Sequence, residues 1–177
     1  MTPNHDQLHA AFDHWGLEIT RATPEGIEGK VSSEEARNVL LQIGLPERLG
    51  DYYFFHDLSK GCLTLREALR TPPEGIQDLV YLGSGPDEDT LLLDGTTGEV
   101  FSWRGEDLLK VNSSLSILVH FLYLIQLELN RMEEGNVMAE SDLQRTLEQT
   151  LARLQAADRE SSAETSDYWR QFLAHTV

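Results

Sequence analysis

The residues best suited by type to catalysis are a histidine and its neighbouring carboxylates, His56 with Asp51 and Asp57. A histidine beside carboxylates can serve in acid–base chemistry, because small changes in its surroundings move its charge across neutral pH. The single thiol, Cys62, follows nearby, but an acidic chain does not favour the reactive thiolate. We therefore expect an inert Cys62 and ordinary packing or exposure for His56.

Two other groups resemble ligand sites only in part. His5, His9 and Asp13 have helical spacing on one face, as metal ligands would, but no fourth ligand is near. Gly83-Ser-Gly85 follows a predicted strand, yet the third glycine and the helix of a dinucleotide-binding turn are missing. We expect no metal, no cofactor and no nucleotide at these places.

A run of three acids occupies a predicted hairpin loop and lacks the ligand spacing of a calcium loop. It fits either a solvated turn or part of an acidic surface that meets a basic partner. Exposed aromatic residues also serve as interface anchors, since they bury a large area at low entropic cost. The candidate partner-binding residues are loop carboxylates and one strand tryptophan: Asp57, Asp87, Glu88, Asp89 and Trp103.

The net charge narrows the choice of partners. The chain carries 14 Lys+Arg against 30 Asp+Glu, a formal charge of −16. Such a surface repels phosphate backbones and anionic membranes, so we expect neither as a direct partner. It attracts a basic protein and speeds the encounter with it. Acidity for solubility alone explains the same number, so charge by itself does not decide.

Length and composition indicate a globular protein. A chain of 177 residues suits one domain or a domain with a small appendage. The single cysteine excludes an internal disulfide framework and fits a reducing compartment. We see no secretory signal, and the longest apolar stretch, 115–129, is too short and polar to span a membrane. We expect a cytoplasmic monomer or weak homo-oligomer.

The predicted elements describe an α+β fold, with an antiparallel meander sheet packed by a central apolar helix and flanked by N- and C-terminal helices. Ser32 and Glu35 have capping-box spacing at the start of one helix. Residues 104–110 read as a short linker. The predicted elements are helices near 4–15, 32–43, 115–132, 141–160 and 166–177, and strands near 52–55, 62–69, 79–83, 90–94 and 99–103. We divide the chain into an α+β domain, 1–135, and a C-terminal helical extension packed on it, 136–177.

Several short motifs, in order, resemble the SUKH (SMI1/KNR4-like) superfamily, and its SUKH-4 branch of bacterial immunity proteins most closely. They are Ile43-Gly-Leu-Pro46, the strand ending at Leu82-Gly83, Leu93-Asp94 with Thr97-Gly-Glu-Val100, and Asn112-Ser-Ser114 before an apolar helix. The resemblance covers roughly residues 34–130. It implies the SUKH fold and a protein that binds and neutralises a toxin, without catalysis or cofactor.

Three functions remain open at this point. The first is an immunity protein that covers a basic toxin domain with its acidic face. The second is a regulatory or scaffold module of the same fold with no toxin partner. The third is a small enzyme that acts through His56 with Asp51 or Asp57. The toxin, its chemistry and the interface do not follow from the sequence.

Overall fold

The computed structural model describes residues 2–85, 88–134, 140–158 and 162–176. The helices are α1 (His5–Asp13), α2 (Pro24–Ile27), α3 (Glu34–Asn38, continued by a π-helix, Val39–Ile43), α4 (Leu65–Ala68), α5 (Leu115–Glu134), α6 (Glu140–Ala157) and α7 (Ala163–Thr176). A 3₁₀ turn covers Leu58–Lys60. The strands are β1 (Ile19–Thr20), β2 (Leu45–Pro46), β3 (Arg48–Leu49), β4 (Tyr53–Phe55), β5 (Leu63–Thr64), β6 (Val80–Ser84), β7 (Thr90–Leu93), β8 (Val100–Arg104) and β9 (Asp107–Asn112).

The strands form a small pair and one large sheet. β1 pairs with β2, and the large sheet has the order β3-β4-β6-β7-β8-β9, with β5 also paired to β6. All the pairings are antiparallel. The predicted α+β class and its antiparallel meander are therefore confirmed.

The strand β9 was missed, because residues 104–110 had been interpreted as a linker. β8 and β9 form a hairpin in which Arg104 opposes Asp107. Gly105 has φ +60°, a left-handed conformation that suits the tight turn between them. The short apolar run Leu108-Leu109 has no clear alternation, so its pattern alone does not distinguish an edge strand from a loop.

One face of the large sheet, called the inner face, is covered by helices. The apolar helix α5 packs beside α1, α3 and α6, and both α5 and α7 contact β9. Aromatic rings join these layers: Phe121 of α5 lies 5.1 Å from Trp169, and Phe172 of α7 lies 5.3 Å from Tyr53 of β4. Trp169, Phe172 and the neighbouring Leu173 belong to the main hydrophobic core. As predicted, these three residues of the last helix lie on one buried side.

The capping box predicted for Ser32 and Glu35 is wrong. Helix α3 is capped by Ser33, whose hydroxyl accepts a hydrogen bond from the backbone N–H of Ala36. Glu35 instead accepts from the backbone N–H of Ser116 at 2.7 Å, which places its charge at the N-terminus of α5. A carboxylate there satisfies an unpaired helix N–H and interacts favourably with the helix dipole. Tertiary contact therefore overrides the local pattern.

Helix α7 closes part of the β9 edge. Thr165 donates its hydroxyl to the carbonyl of Lys110 at 2.8 Å, and the indole N–H of Trp169 donates to the carbonyl of Val111 at 3.0 Å. These carbonyls lie at a register shift, where a strand loses its regular partners. These side chains thus donate hydrogen bonds to backbone carbonyls of an edge strand, which could otherwise pair with a strand of another chain. Within the described ranges, no helix is both long and apolar enough to cross a membrane.

Candidate functional site

Asp89 is the centre of a buried polar cluster on the inner face. Its carboxylate is 1% exposed and accepts from Ser102 Oγ at 2.5 Å and from Tyr168 OH at 2.9 Å. Tyr53 OH also donates to it, and Arg104 Nη2 lies 3.2 Å away. Four elements therefore meet at one carboxylate: β4, β8, α7 and the loop that precedes β7.

The two tyrosines of this cluster stay neutral. Burial raises the pKa of Tyr53 far above its usual value, and the neighbouring Tyr168 and Asp89 raise it further. Burial is also the main cause that raises the pKa of Tyr168. Both phenols are therefore donors to Asp89, and Arg104, which lies 5.7 Å above the Tyr168 ring, supplies the compensating charge. The cluster stabilises the fold through hydrogen bonds and one ion pair.

The three acids of the predicted loop do not share one environment. Asp89 was predicted to lie on an acidic surface, and its burial contradicts that placement. Its neighbour Glu88 is exposed and has φ +61°. Asp87 lies outside the described residues. The partner-binding role of Glu88 and Asp87 stays a prediction, whereas Asp89 has its carboxylate occupied inside the protein.

Asp57 borders a surface groove. Its side chain is 36% exposed, pairs with Lys60 at 3.1 Å and caps the 3₁₀ turn through the N–H of Ser59. The hydrogen bond from the Ser59 hydroxyl, with help from Lys60, lowers the pKa of Asp57, so it is ionised at neutral pH. The groove encloses about 580 Å³ and is lined by Gly16, Glu18, Thr20, Glu47, Phe54, Phe55, Asp57 and Lys60.

Trp103 lies on the second face of the sheet, called the outer face. Directly opposite residues of antiparallel strands point to the same side, so the register defines which side chains share this face. One row of such partners crosses six strands and is called the outer row: Arg48, Phe54, Ser84, Thr90, Trp103 and Leu108. A second row runs beside it: Leu63, Tyr81, Leu92, Phe101 and Lys110.

The outer row carries apolar groups that remain exposed among the residues that the structure describes. Phe54 is 54% exposed, Leu108 is 42% exposed, and Trp103 between them is half-buried. None of the three belongs to the main hydrophobic core. Phe54 and Leu108 are not among the residues predicted from the sequence to bind a partner. The run Tyr52-Tyr53-Phe54-Phe55 could have indicated an exposed aromatic residue, since every second side chain of a strand points away from the core.

His56 is not assembled into an acid–base pair. Its Nε2 lies 2.8 Å from the carbonyl of Gly61, while Asp51 pairs with Arg48 and Asp57 with Lys60. Burial raises the pKa of Cys62 to about 11, so this thiol is protonated at neutral pH. His5 Nδ1 lies 2.7 Å from the carbonyl of Ile43. In the part of the chain that is described, no group of three His, Cys, Asp or Glu residues is placed to hold a metal ion.

Comparison with known proteins extends these observations to the whole chain. The model of the SUKH-4 immunity protein family matches residues 4–175, well beyond the motifs recognised between residues 34 and 130. No curated protein and no solved structure gives a significant match. The match includes α1 at one end and α7, which anchors Asp89 and the β9 edge, at the other. The chain therefore belongs to the SUKH-4 immunity protein family.

Proposed function

We propose that this protein binds a cognate toxin domain in a stoichiometric complex and neutralises it by covering its active site or substrate groove. Family membership carries the proposal, since it implies toxin immunity and a protein toxin as the partner. The mechanism needs no cofactor and no catalytic group of this chain. It needs a stable surface that binds the toxin more tightly than the substrate does.

The charge of the chain supports a basic toxin. A formal charge of −16 on 177 residues accelerates the encounter with a positively charged protein at low ionic strength. If the toxin acts on nucleic acid, its basic groove is the natural target, because exposed carboxylates take the place of phosphates there. We propose that Asp57, Asp87, Glu88 and Trp103 take part in this contact. The single buried cysteine is compatible with an encounter in the cytoplasm.

The first test is capture of the toxin and measurement of its activity. The tagged protein is incubated with native lysate at low salt, washed at high salt, and its partners are identified by mass spectrometry. The toxin is then assayed against rising amounts of the purified protein. We expect inhibition that is complete near one equivalent. Capture of housekeeping proteins alone, or a toxin that stays active in the complex, would favour the regulatory module instead.

Charge reversal in the acidic loop sharpens the same test. Asp87→Lys with Glu88→Lys removes two negative charges and adds two positive charges, and Asp89 itself stays unchanged. We expect slower association with the toxin and at least about tenfold weaker binding at low salt, with a smaller difference at high salt. Glu74→Lys with Glu164→Lys, at exposed sites elsewhere, is the control for net charge. Equal loss in both variants would remove this loop from the interface.

A further inference from the structure

The outer face combines exposed apolar side chains with a rim of carboxylates. Phe54, Trp103 and Leu108 lie along the outer row, and the first and last are about half exposed. Exposed apolar groups that share one sheet face are unusual on a monomer and mark sites of protein contact. Large aromatic residues at the centre of such a patch supply most of the binding energy.

The rim of the outer row is negative at both ends. Glu18 and Glu47 line the groove beside Phe54. Glu88 precedes β7, which contributes Thr90 to the row, and Glu106 lies in the turn of the hairpin that carries Trp103 and Leu108. The carboxylates of Glu18, Glu47, Glu88 and Glu106 are exposed, and none is ion-paired with a residue that the structure describes.

The basic residues of the outer rows, unlike the carboxylates of the rim, already form ion pairs within the chain. Arg48, at the end of the outer row, contacts Asp51 at 2.9 Å. Lys110, in the second row, contacts Glu99 at 3.1 Å. The charge that remains available to a partner on this face is therefore negative.

We infer that the outer row is the docking surface for the partner, and that the partner presents an apolar centre surrounded by arginine and lysine side chains. This inference rests on the proposed function and names the site that carries it out. Phe54, Trp103 and Leu108 contact the apolar centre, while Glu18, Glu47, Glu88 and Glu106 pair with the basic ring. Water exclusion by the ring strengthens the central contacts, as in other protein interfaces.

A second copy of this chain fits the same surface poorly. Two copies would bring −16 against −16, and each carboxylate rim would face the other. A basic partner relieves the same repulsion that a homodimer would create. Charge complementarity therefore selects a basic protein as the occupant.

The probe that tests the chemistry of the surface is a short arginine-rich peptide with a central tryptophan–leucine pair. It is titrated into the full ¹⁵N-labelled chain, beside a matched peptide that has serine in place of the tryptophan and leucine. We expect saturable shifts of amides in β4, β8 and β9, and at least about tenfold weaker binding of the serine peptide. Shifts located elsewhere, no saturable binding, or equal binding of the two peptides would overturn the inference.

Matched variants distinguish binding at the outer row from non-specific binding to exposed apolar residues. Phe54→Ser with Leu108→Ser removes both exposed apolar ends of the row, and Leu69→Ser changes a residue that is 37% exposed but belongs to neither row. We expect the double variant to lose the peptide shifts and at least about tenfold of its potency against the toxin, while Leu69→Ser keeps both. Circular dichroism checks that all variants fold.

The two proposals fail in different ways in these experiments. If the wild-type chain does not inhibit a captured toxin, the proposed function fails, and the peptide result still decides the chemistry of the surface. If the wild type and the double variant inhibit equally well, the proposed function stands and the docking surface lies elsewhere. A homodimer seen by sedimentation that the double variant abolishes would replace the basic partner with a second copy.

Discussion

The two faces of the large sheet use similar residues for opposite purposes. On β4, Tyr53 and Phe55 enter the main core, while Phe54 between them is 54% exposed. On the β6–β7 side, Asp89 is buried and Glu88 beside it is exposed. The chemical types hardly differ within each pair. What differs is whether α5 and α7 cover the position.

This contrast separates stability from recognition. The inner face buries its aromatic rings and satisfies the buried carboxylate of Asp89 with several donors, so changes there cost folding free energy. On the outer face, Phe54, Leu108 and the carboxylates of the rim are exposed to water, so changes at these positions cost little stability. The residues of a surface that contributes little to stability can change to fit different toxins without loss of the fold.

Removal of the Asp89 carboxylate tests the inner face most severely. Asp89→Ala leaves the hydroxyls of Tyr53, Tyr168 and Ser102 without their acceptor and leaves Arg104 without its partner. Arg104 is 42% exposed and regains water, but each buried hydroxyl left unpaired costs about 1–3 kcal/mol, so we expect a total loss of about 3–5 kcal/mol. Urea unfolding followed by circular dichroism measures the loss.

The neighbouring glutamate is the matched control for this substitution. Glu88→Ala changes an exposed side chain with no ion pair in the described structure, so the free energy of unfolding should stay within about 0.5 kcal/mol of the wild type. Similar stability for the two variants would mean that Asp89 does not join the sheet to α7.

Two adjacent phenylalanines test the contrast within one strand. Phe55→Ala empties a position that is 8% exposed in the main core and should cost about 3 kcal/mol of unfolding free energy. Phe54→Ala removes a ring that is mostly in water and should cost less than about 0.5 kcal/mol. Thermal and urea unfolding of the two variants measure the difference. Equal losses would mean that the outer row is packed against something in solution.

The part of the fold that the sequence predicted correctly is the part with strong local patterns. The fifteen-residue apolar run from Leu115 predicts a buried helix, and the Gly44-Leu45-Pro46 turn predicts the end of α3 and its π-helical continuation. The meander β6-β7-β8 follows from three short apolar segments joined by short polar loops. The family motifs lie in the same segment, so the resemblance and the patterns support each other.

The features that escaped prediction depend on contacts between distant segments. Asp89 looks like a loop acid, and only Tyr53, Ser102 and Tyr168 make its burial possible, from positions far apart in the chain. Glu35 has the spacing of a capping residue for its own helix but reaches Ser116 of α5. Neither contact leaves a local pattern in the sequence.

The partner-binding role of Asp57, Asp87, Glu88 and Trp103 stays a prediction. Trp103 lies on the outer face by its register with Thr90 and Leu108, and Glu88 is exposed just before β7. Phe54 and Leu108 were missed, because a single sequence does not reveal which side of a strand is covered. That choice depends on where α5 and α7 pack.

The smallest expected effect concerns an exposed ion pair, which contrasts with the buried one at Asp89. Lys30 donates to Glu67 at 2.7 Å, and this bond is the main cause that lowers the pKa of Glu67 to about 2. A depressed carboxylate pKa stabilises the fold above the unfolded value of 4.5, and that contribution is lost as the pH falls towards about 2. Glu67 is 45% exposed, so solvent screening limits the effect to less than about 1 kcal/mol.

Glu67→Gln should therefore lower the free energy of unfolding slightly at pH 7, and the gap to the wild type should narrow steadily between pH 4.5 and pH 2. Urea unfolding at several pH values measures it. Glu25→Gln, at an exposed residue that forms no ion pair in the described structure, should show no such convergence. A gap that stays constant with pH would mean that the effect of the substitution does not depend on the ionisation of Glu67. The hydrogen bond from the Thr64 N–H would then account for the contribution of Glu67, and the charge of Lys30 would contribute nothing.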